Sequence, residues 1–481
     1  MAHGVNERFD FAAPLPDLTD LARVHLIAIG GSGMSGIARL LRARDLPVSG
    51  SDNVDLPVLA ALADAGCQIT LGYAAATAQA LPEGTVVVIS SAIREDNPEL
   101  AAVRARGLPV LHRAQALGAL LAGREGLAVA GANGKTTTSA MATVALRAVG
   151  ADPSYAIGAE IAGLGANAGV GQGSAFVVEA DESDGSFVVY RPRIAIVTSV
   201  KDDHLDFYGD SATLHAAYGA FVDTIAAGGL LVACADDPGS AALAAAARCR
   251  ADLRVLTYGT TETADVRITD LRSSGWSGEG TLTDLTGTNH HLQLEVPGLH
   301  NLENAAGVVA ALTAGLDLPA AEVVRGLVQF RGTSRRAQRV GEAAGIRVVD
   351  DYAHNPGKLQ AMVATGRGLA GDGRLIVVFQ PHLYSRTRDA AAGLAKALDG
   401  ADLAVVLDIY GAREQPIDGV TADLVTDAMR TPGVRATGFD EAVEVVRREA
   451  RAGDLVLTVG AGDITHLGPR ILQALEESDS T

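Results

Sequence analysis

Three α/β units in series are predicted for this chain: Rossmann-like units at both ends and, between them, a P-loop unit carrying an antiparallel insertion. Three observations predict it. Short, continuous apolar runs alternate with helical stretches, the pattern of parallel strands covered on both faces. Two glycine-rich turns each follow such a run and open a helix. The 481 residues also exceed what one hydrophobic core organises, so roughly two to four domains are expected.

The first unit, residues 1–123, is read from apolar strands at 24–29 and 85–90 and a helical stripe over 37–41. The second, 124–332, opens with a strand at 127–130 and an apolar helix at 141–146. Further buried strands are expected at 175–178, 194–198 and 230–234. Residues 266–296 alternate and are rich in Thr, Ser and Gly, which suits the antiparallel insertion. In the third unit, 333–481, strands at 346–349, 375–379, 403–407 and 455–459 alternate with helices, a doubly wound pattern.

The composition, 48% hydrophobic and 20% charged, is that of a globular protein. A net charge of −18 argues against nucleic acid or an anionic membrane as partner, because the long-range field repels both. A local phosphate pocket is still allowed. Cys67, Cys234 and Cys249 are far apart with no CxxC spacing, so they are read as buried small hydrophobes in a reducing compartment. The first twenty residues are polar and acidic, unlike a secretory signal. No apolar run reaches the roughly 20 residues of a spanning helix. A soluble, cytoplasmic protein is expected.

Gly31-Ser32-Gly33-Met34-Ser35-Gly36 follows a strand and opens a helix, and Asp52 ends the next strand. Such glycines let a backbone approach a diphosphate at a helix N-terminus, and an acid at that distance reads a ribose. A dinucleotide, a different diphosphate such as a UDP-sugar, and a purely structural turn all satisfy this motif.

The second turn, Gly131-Ala132-Asn133-Gly134-Lys135-Thr136-Thr137, is a P-loop with shorter glycine spacing than the general pattern. Its amides are expected to cradle phosphates, with Lys135 reaching the β/γ-phosphates and the Thr136 hydroxyl facing Mg²⁺. A P-loop needs a carboxylate from a neighbouring strand, and Glu179 ends one. His204, after Asp202 and Asp203, is placed at the end of the next and read as a further metal ligand. Glu182 and Asp184 are read as a solvated acidic loop, and Asp202 or Asp203 alternatively as a helix cap.

Taken in order, these motifs resemble the Mur ligase family. The resemblance is carried by residues 29–38, Ser90-Ser91-Ala92-Ile93, Asp96-Asn97-Pro98-Glu99, Gly134-Lys135-Thr136-Thr137, residues 179–184, Asp203-His204-Leu205-Asp206 and residues 297–305. It continues through residues 350–354, Phe379-Gln380-Pro381-His382, Tyr384-Ser385-Arg386-Thr387 and residues 460–464.

The resemblance implies a UDP-sugar domain, an ATPase-like domain and a C-terminal domain that closes over the site. It implies ATP-dependent ligation of L-alanine to UDP-N-acetylmuramate through an acyl phosphate, with ATP and Mg²⁺ as cofactors and a monomer or homodimer as the working form. Gly31, Ser32, Gly33, Met34, Ser35, Asp52, Ser91 and Ala92 would bind the UDP-sugar, Asn304 the adenine and Asp351 the ribose. Lys135, Glu179, His204 and Arg336 would carry catalysis, with metal held by Thr136, Glu179 and His204. Arg336 would steady the transferring phosphoryl group, while Arg335 is read nearly as well as a solvated linker. His354, His382 and Arg386 would face the amino acid and the sugar carboxylate. The chain departs from the alanine-adding pattern at Asn133, Ser199, Ala337, Leu383 and Asn355.

Overall fold

The apolar runs become parallel strands because each can bury both faces only with helices above and below and strands beside it. The computed structural model describes residues 4, 6–412 and 414–479. They fall into two units: 1–271, 279–293 and 300–330 form the first, and 272–278, 294–299 and 331–481 the second.

The first unit contains two sheets. One has five strands in the order Gln68–Leu71, Val48–Asp52, Arg23–Ile27, Thr85–Ile89 and Val110–His112, all paired in parallel. Chain order reverses beside Arg23–Ile27, so the glycine turn that follows this strand stands at the topological switch point, where such sheets bind ligands. Helix Ser32–Arg42 starts there and buries Met34, Ile37, Ala38, Leu40 and Leu41.

The other sheet has ten strands. Glu125–Ala130, the strand entering the P-loop, lies between Ile194–Val197 and Ala175–Glu179 and pairs with both in parallel. At one edge Val266–Ser274, Ser277–Thr283 and Asn289–Leu294 follow one another across the sheet, and turns at Gly275 and Gly287, both with positive φ, connect them. This is the expected insertion. One continuous core joins the two sheets, running from Leu26, Ile37 and Leu117 to Phe176, Val178, Phe187 and Leu231.

The second unit is one six-stranded sheet in the order Gln338–Ala343, Ile346–Asp351, Leu455–Val459, Leu375–Phe379, Leu403–Leu407 and Gly433–Ala436. Only its first pair is antiparallel. Separate cores cover its two faces, one around Val349, Val377 and Val406, the other around Val348, Ile376 and Val405. No helix among the described residues is long and apolar enough to cross a membrane. Cys67 and Cys234 are buried as expected, whereas Cys249 is exposed, in the turn that follows helix Pro238–Ala247.

Candidate active site

The carboxyl ends of three adjacent strands bring the P-loop, Glu179 and the 198–204 loop together. Gly131 has φ +135°, and a Cβ there would lie 2.1 Å from Thr198 Oγ1. Gly134, at φ +85°, caps helix Lys135–Ala148. A Cβ on it would come within 3.0 Å of Asn304 Oδ1, so Asn304 packs directly on the loop. Ser199 anchors the loop from the other side: its carbonyl accepts the Ala132 N–H at 3.0 Å and its hydroxyl the Asn133 N–H at 3.2 Å. The helix behind directs the positive end of its dipole at whatever the loop holds.

The Thr136 hydroxyl donates to Glu179 Oε1 at 2.9 Å, and Glu179 Oε2 accepts the Gly158 N–H at 2.7 Å. A hydroxyl beside one carboxylate is the oxygen donor set that suits Mg²⁺, which usually keeps several waters and phosphate oxygens as its other ligands. Among the described residues no cluster of three or more His, Cys, Asp or Glu forms a ready-made metal cage. His204, at φ +55°, points Nε2 to within 3.9 Å of both Glu182 Oε1 and Asp203 Oδ1.

The acidic segment differs from the solvated loop expected for Glu182 and Asp184. Glu182 is 1% exposed, and both its oxygens contact Lys135 Nζ, at 2.8 and 2.9 Å. Lys135 Nζ also donates to Gly131 O at 2.6 Å. Burial alone would lower the Lys135 pKa, but Glu182, Asp181 and Glu179 outweigh it and hold it above the ordinary value. Asp184 accepts from Ser91 Oγ at 2.6 Å and from Ser186 N–H at 3.1 Å, and lies 3.3 Å from His112 Nε2. Burial opposes its charge, yet those partners hold its carboxyl far below the usual range. A run of acids looks solvated in one dimension; here Glu182 and Asp184 have each found a partner from another element.

At the front turn, Asp52 Oδ2 accepts the Gly30 N–H at 2.9 Å and Oδ1 the Val54 N–H at 3.2 Å. The acid of the fingerprint thus holds its own loop. Met34 and Ser35 are buried, whereas Gly31 and Ser32 are exposed and Gly33 is half-buried. Ser32 Oγ donates to Gly158 O at 3.4 Å, and Asn167 Nδ2 donates to Ser32 O at 2.9 Å. Gly158, in strand Ser154–Ile161, therefore touches Ser32 through its carbonyl and Glu179 through its amide. The front glycine turn and the carboxylate beside the P-loop meet at that residue. Ser91 is engaged with Asp184, and Ala92 lies exposed in the loop beyond strand Thr85–Ile89.

In the second unit Arg335 and Arg336 both lie over the Tyr352 ring, at 4.8 and 5.1 Å from its centre. Arg335 is no solvated linker: it donates to the carbonyls of Gly460 and Gly462. Asp351 accepts the Ala337 and Ala353 amides, both at 2.8 Å. Burial raises its pKa despite Arg336 nearby. His354 Nδ1 lies 3.0 Å from Tyr352 O, and its ring is 6.2 Å from that of His382, which stacks on Tyr410 at 5.9 Å. Burial, helped by Lys358, Arg386 and His382, pushes the His354 imidazole down to about 3. Arg386 lies on helix Tyr384–Leu398. Three of the departures have a defined local conformation. Asn355 caps helix Pro356–Ala370 by accepting the Lys358 N–H at 2.9 Å, and Ala337 and Leu383 adopt positive φ of 45° and 67°, Leu383 as the residue that precedes helix Tyr384–Leu398.

The sequence reading missed Arg113, His112 and Asn167. Arg113 donates to Asp181 at 3.1 Å, and a Cβ on Gly33 would lie 2.9 Å from Arg113 Nη1. Its position just past the carboxyl end of strand Val110–His112 was the available signal.

Sequence profiles of the Mur ligase family match the chain in three parts: the catalytic domain over residues 23–125, the middle domain over 129–312 and the glutamate ligase domain over 335–462. The chain is 52% identical over 470 residues to a protein of Kineococcus radiotolerans named UDP-N-acetylmuramate–L-alanine ligase, covering 97% of this chain and 98% of that one. It is 49% identical to the protein of the same name from Paenarthrobacter aurescens, covering 95% and 98%. Its fold superimposes on the crystal structure of UDP-N-acetylmuramate–alanine ligase from Thermotoga maritima with a TM-score of 0.80, at 26% identity and 95% and 99% coverage. A murein peptide ligase from Psychrobacter arcticus shares the fold with a TM-score of 0.71, at 23% identity and the same coverages. With three family profiles matching in series and relatives aligned over nearly its full length, the chain belongs to the Mur ligase family.

Proposed function

We propose that this protein is an ATP-dependent ligase that joins L-alanine to UDP-N-acetylmuramate in peptidoglycan precursor synthesis. The observation that carries the reading is Gly158, bonded at once to Ser32 of the front glycine turn and to Glu179, the carboxylate beside the P-loop. A ligase that phosphorylates one nucleotide-linked substrate with another nucleotide needs two such cradles side by side. The names of the nearly full-length relatives supply the identity of the substrates.

A carboxylate resists amide formation because oxide is a poor leaving group. Transfer of the γ-phosphoryl group to the lactyl carboxylate releases ADP and leaves an acyl phosphate. Attack by the alanine amine then forms the amide and expels phosphate. Phosphoryl transfer of this kind depends chiefly on positioning and charge neutralisation. The P-loop residues Gly131, Gly134, Thr136 and Thr137 and the ammonium of Lys135 hold the phosphates, on a loop that Ala132 and Asn133 fix to Ser199 through their amides. Thr136 and Glu179, with a further position at His204, would hold Mg²⁺, which would supply additional neutralisation of negative charge. Asn304, packed on Gly134, serves the adenine and Asp351 the ribose. Arg336 steadies the transferring phosphoryl with its planar fork. Gly31, Ser32, Gly33, Met34, Ser35, Asp52, Ser91 and Ala92 form the UDP-sugar side, and His354, His382 and Arg386 the amino-acid side.

We assign residues 1–123 to the sugar-nucleotide domain, 124–332 to the ATP domain and 333–481 to the C-terminal ligase domain. The enzyme works in the cytoplasm as a monomer or homodimer, serves cell shape and division, and has no nucleic-acid or membrane partner. Purified protein should release phosphate from ATP only when UDP-N-acetylmuramate and L-alanine are both present. Equal release without the sugar nucleotide defeats the proposal. A competition among L-alanine, glycine, L-serine and murein tripeptide separates the alanine enzyme from a recycling ligase of the same family.

A further inference from the structure

Two consecutive residues of the first sheet's last connection hold the ends of the acidic segment. His112 and Arg113 begin helix Arg113–Leu121, with His112 as its cap. His112, together with Ser91, holds Asp184, and Arg113 holds Asp181. Between those anchors sits Glu182, whose carboxylate occupies Lys135. Its backbone carbonyl is fixed as well, by the Tyr208 hydroxyl. The P-loop lysine is thus tied to a segment whose position is set from the diphosphate side.

Arg113 also stands over the front turn. Its Nη1 is 2.9 Å from where a Cβ on Gly33 would lie, so an anion seated on that turn meets the same guanidinium that Asp181 uses. A guanidinium presents five donors in a fixed fork and can serve two anions, but not at full strength in both places.

We propose that Arg113 is a positioning residue shared by the two cradles: a diphosphate on the Gly31–Ser35 turn draws Arg113 from Asp181, loosens the 181–184 segment and frees Lys135 from Glu182 for the phosphates of ATP. This rests on the functional reading above. Binding energy at one site thereby reaches the other, and by linkage the effect is reciprocal.

The test is a calorimetric measurement of the affinity for a β,γ-imido ATP analogue with Mg²⁺, with and without saturating UDP-N-acetylmuramate. It is made on the full-length wild type, Asp181→Asn and Arg113→Lys. Wild type should bind the analogue at least about fivefold more tightly when the sugar nucleotide is present. Asp181→Asn should bind the analogue alone nearly as tightly as wild type does with the sugar nucleotide, bringing the ratio to about one. Arg113→Lys keeps the charge but not the fork, so it should retain sugar-nucleotide binding and lose the ratio. A purely structural pair would weaken both ligands together and leave the wild-type ratio. That result, or a wild-type ratio of one, overturns the coupling while the functional reading stands. Wild type that binds no UDP-N-acetylmuramate defeats the functional reading itself.

Discussion

Lys135 and Glu182, 47 residues apart, form a buried ion pair in which both carboxylate oxygens face one ammonium, with Gly131 O as a further acceptor. Removing one partner strands the other: an uncompensated buried charge costs about 3–5 kcal/mol. Lys135→Ala should therefore lose about that much unfolding free energy. The double variant Lys135→Ala/Glu182→Gln should recover a large part of it. Both should lose at least ~10²-fold in turnover, because the cation that neutralises the phosphates is gone in each. Denaturant unfolding and phosphate release measure the two effects separately. UDP-N-acetylmuramate affinity should stay within a few-fold of wild type; its disappearance would contradict the division of labour between the two cradles.

The two P-loop glycines differ in what surrounds them, and their alanine variants should differ accordingly. At Gly131 an added methyl meets Thr198 Oγ1 at 2.1 Å and the backbone of Ser199 at 2.8 Å, neither of which can move without breaking the loop's anchor. At Gly134 it meets only the end of the Asn304 side chain, at 3.0 Å, together with a left-handed strain of about 1–2 kcal/mol. Gly131→Ala should abolish measurable nucleotide binding. Gly134→Ala should retain it about tenfold or more weakened. Equal losses in the two would mean that the contact with Asn304 is as rigid as backbone.

Much of this was legible in the sequence, for specific reasons. The strands 230–234, 375–379, 403–407 and 455–459 coincide with Leu230–Cys234, Leu375–Phe379, Leu403–Leu407 and Leu455–Val459, because a strand buried on both faces is apolar at both ends, so its limits stand out from the polar chain around it. Glu179 and Thr136 were found because strand order fixes their meeting. Glu182, Asp184 and Arg113 were misjudged or missed because their partners come from other elements, and hydropathy along the chain carries no trace of Lys135, Ser91 or Asp181 facing them. The structural work of Asp52 was hidden for the opposite reason. It bonds amides two and twenty-two residues away, and the ligand fingerprint has the same appearance as the loop that it stabilises.

Glu179 has two bonds, accepting from the Thr136 hydroxyl and from the Gly158 amide. Glu179→Gln keeps the shape, and its amide oxygen can still accept one of the two bonds, but it removes the charge. The Mg²⁺ concentration giving half-maximal activity should rise about 10–100-fold, with near-wild-type melting behaviour. An unchanged magnesium requirement would place the metal elsewhere.

His354 gives the second unit a pH signature. Its imidazole, pushed down to about 3 by burial and by Lys358, Arg386 and His382, is neutral when folded, whereas the unfolded chain takes up a proton near 6.5. Protons therefore favour the unfolded state. The group's contribution is complete above about pH 6.5 and is lost as pH falls from there toward 3, by up to 1.36 kcal/mol per pH unit. Between pH 6.5 and pH 5 that amounts to about 2 kcal/mol. His354→Asn removes the titrating group, so its stability deficit against wild type should shrink over this interval. Denaturant unfolding of both proteins at several pH values measures it. A deficit independent of pH would mean that His354 keeps an ordinary imidazole pKa in the fold, and that the charges around it are screened by solvent.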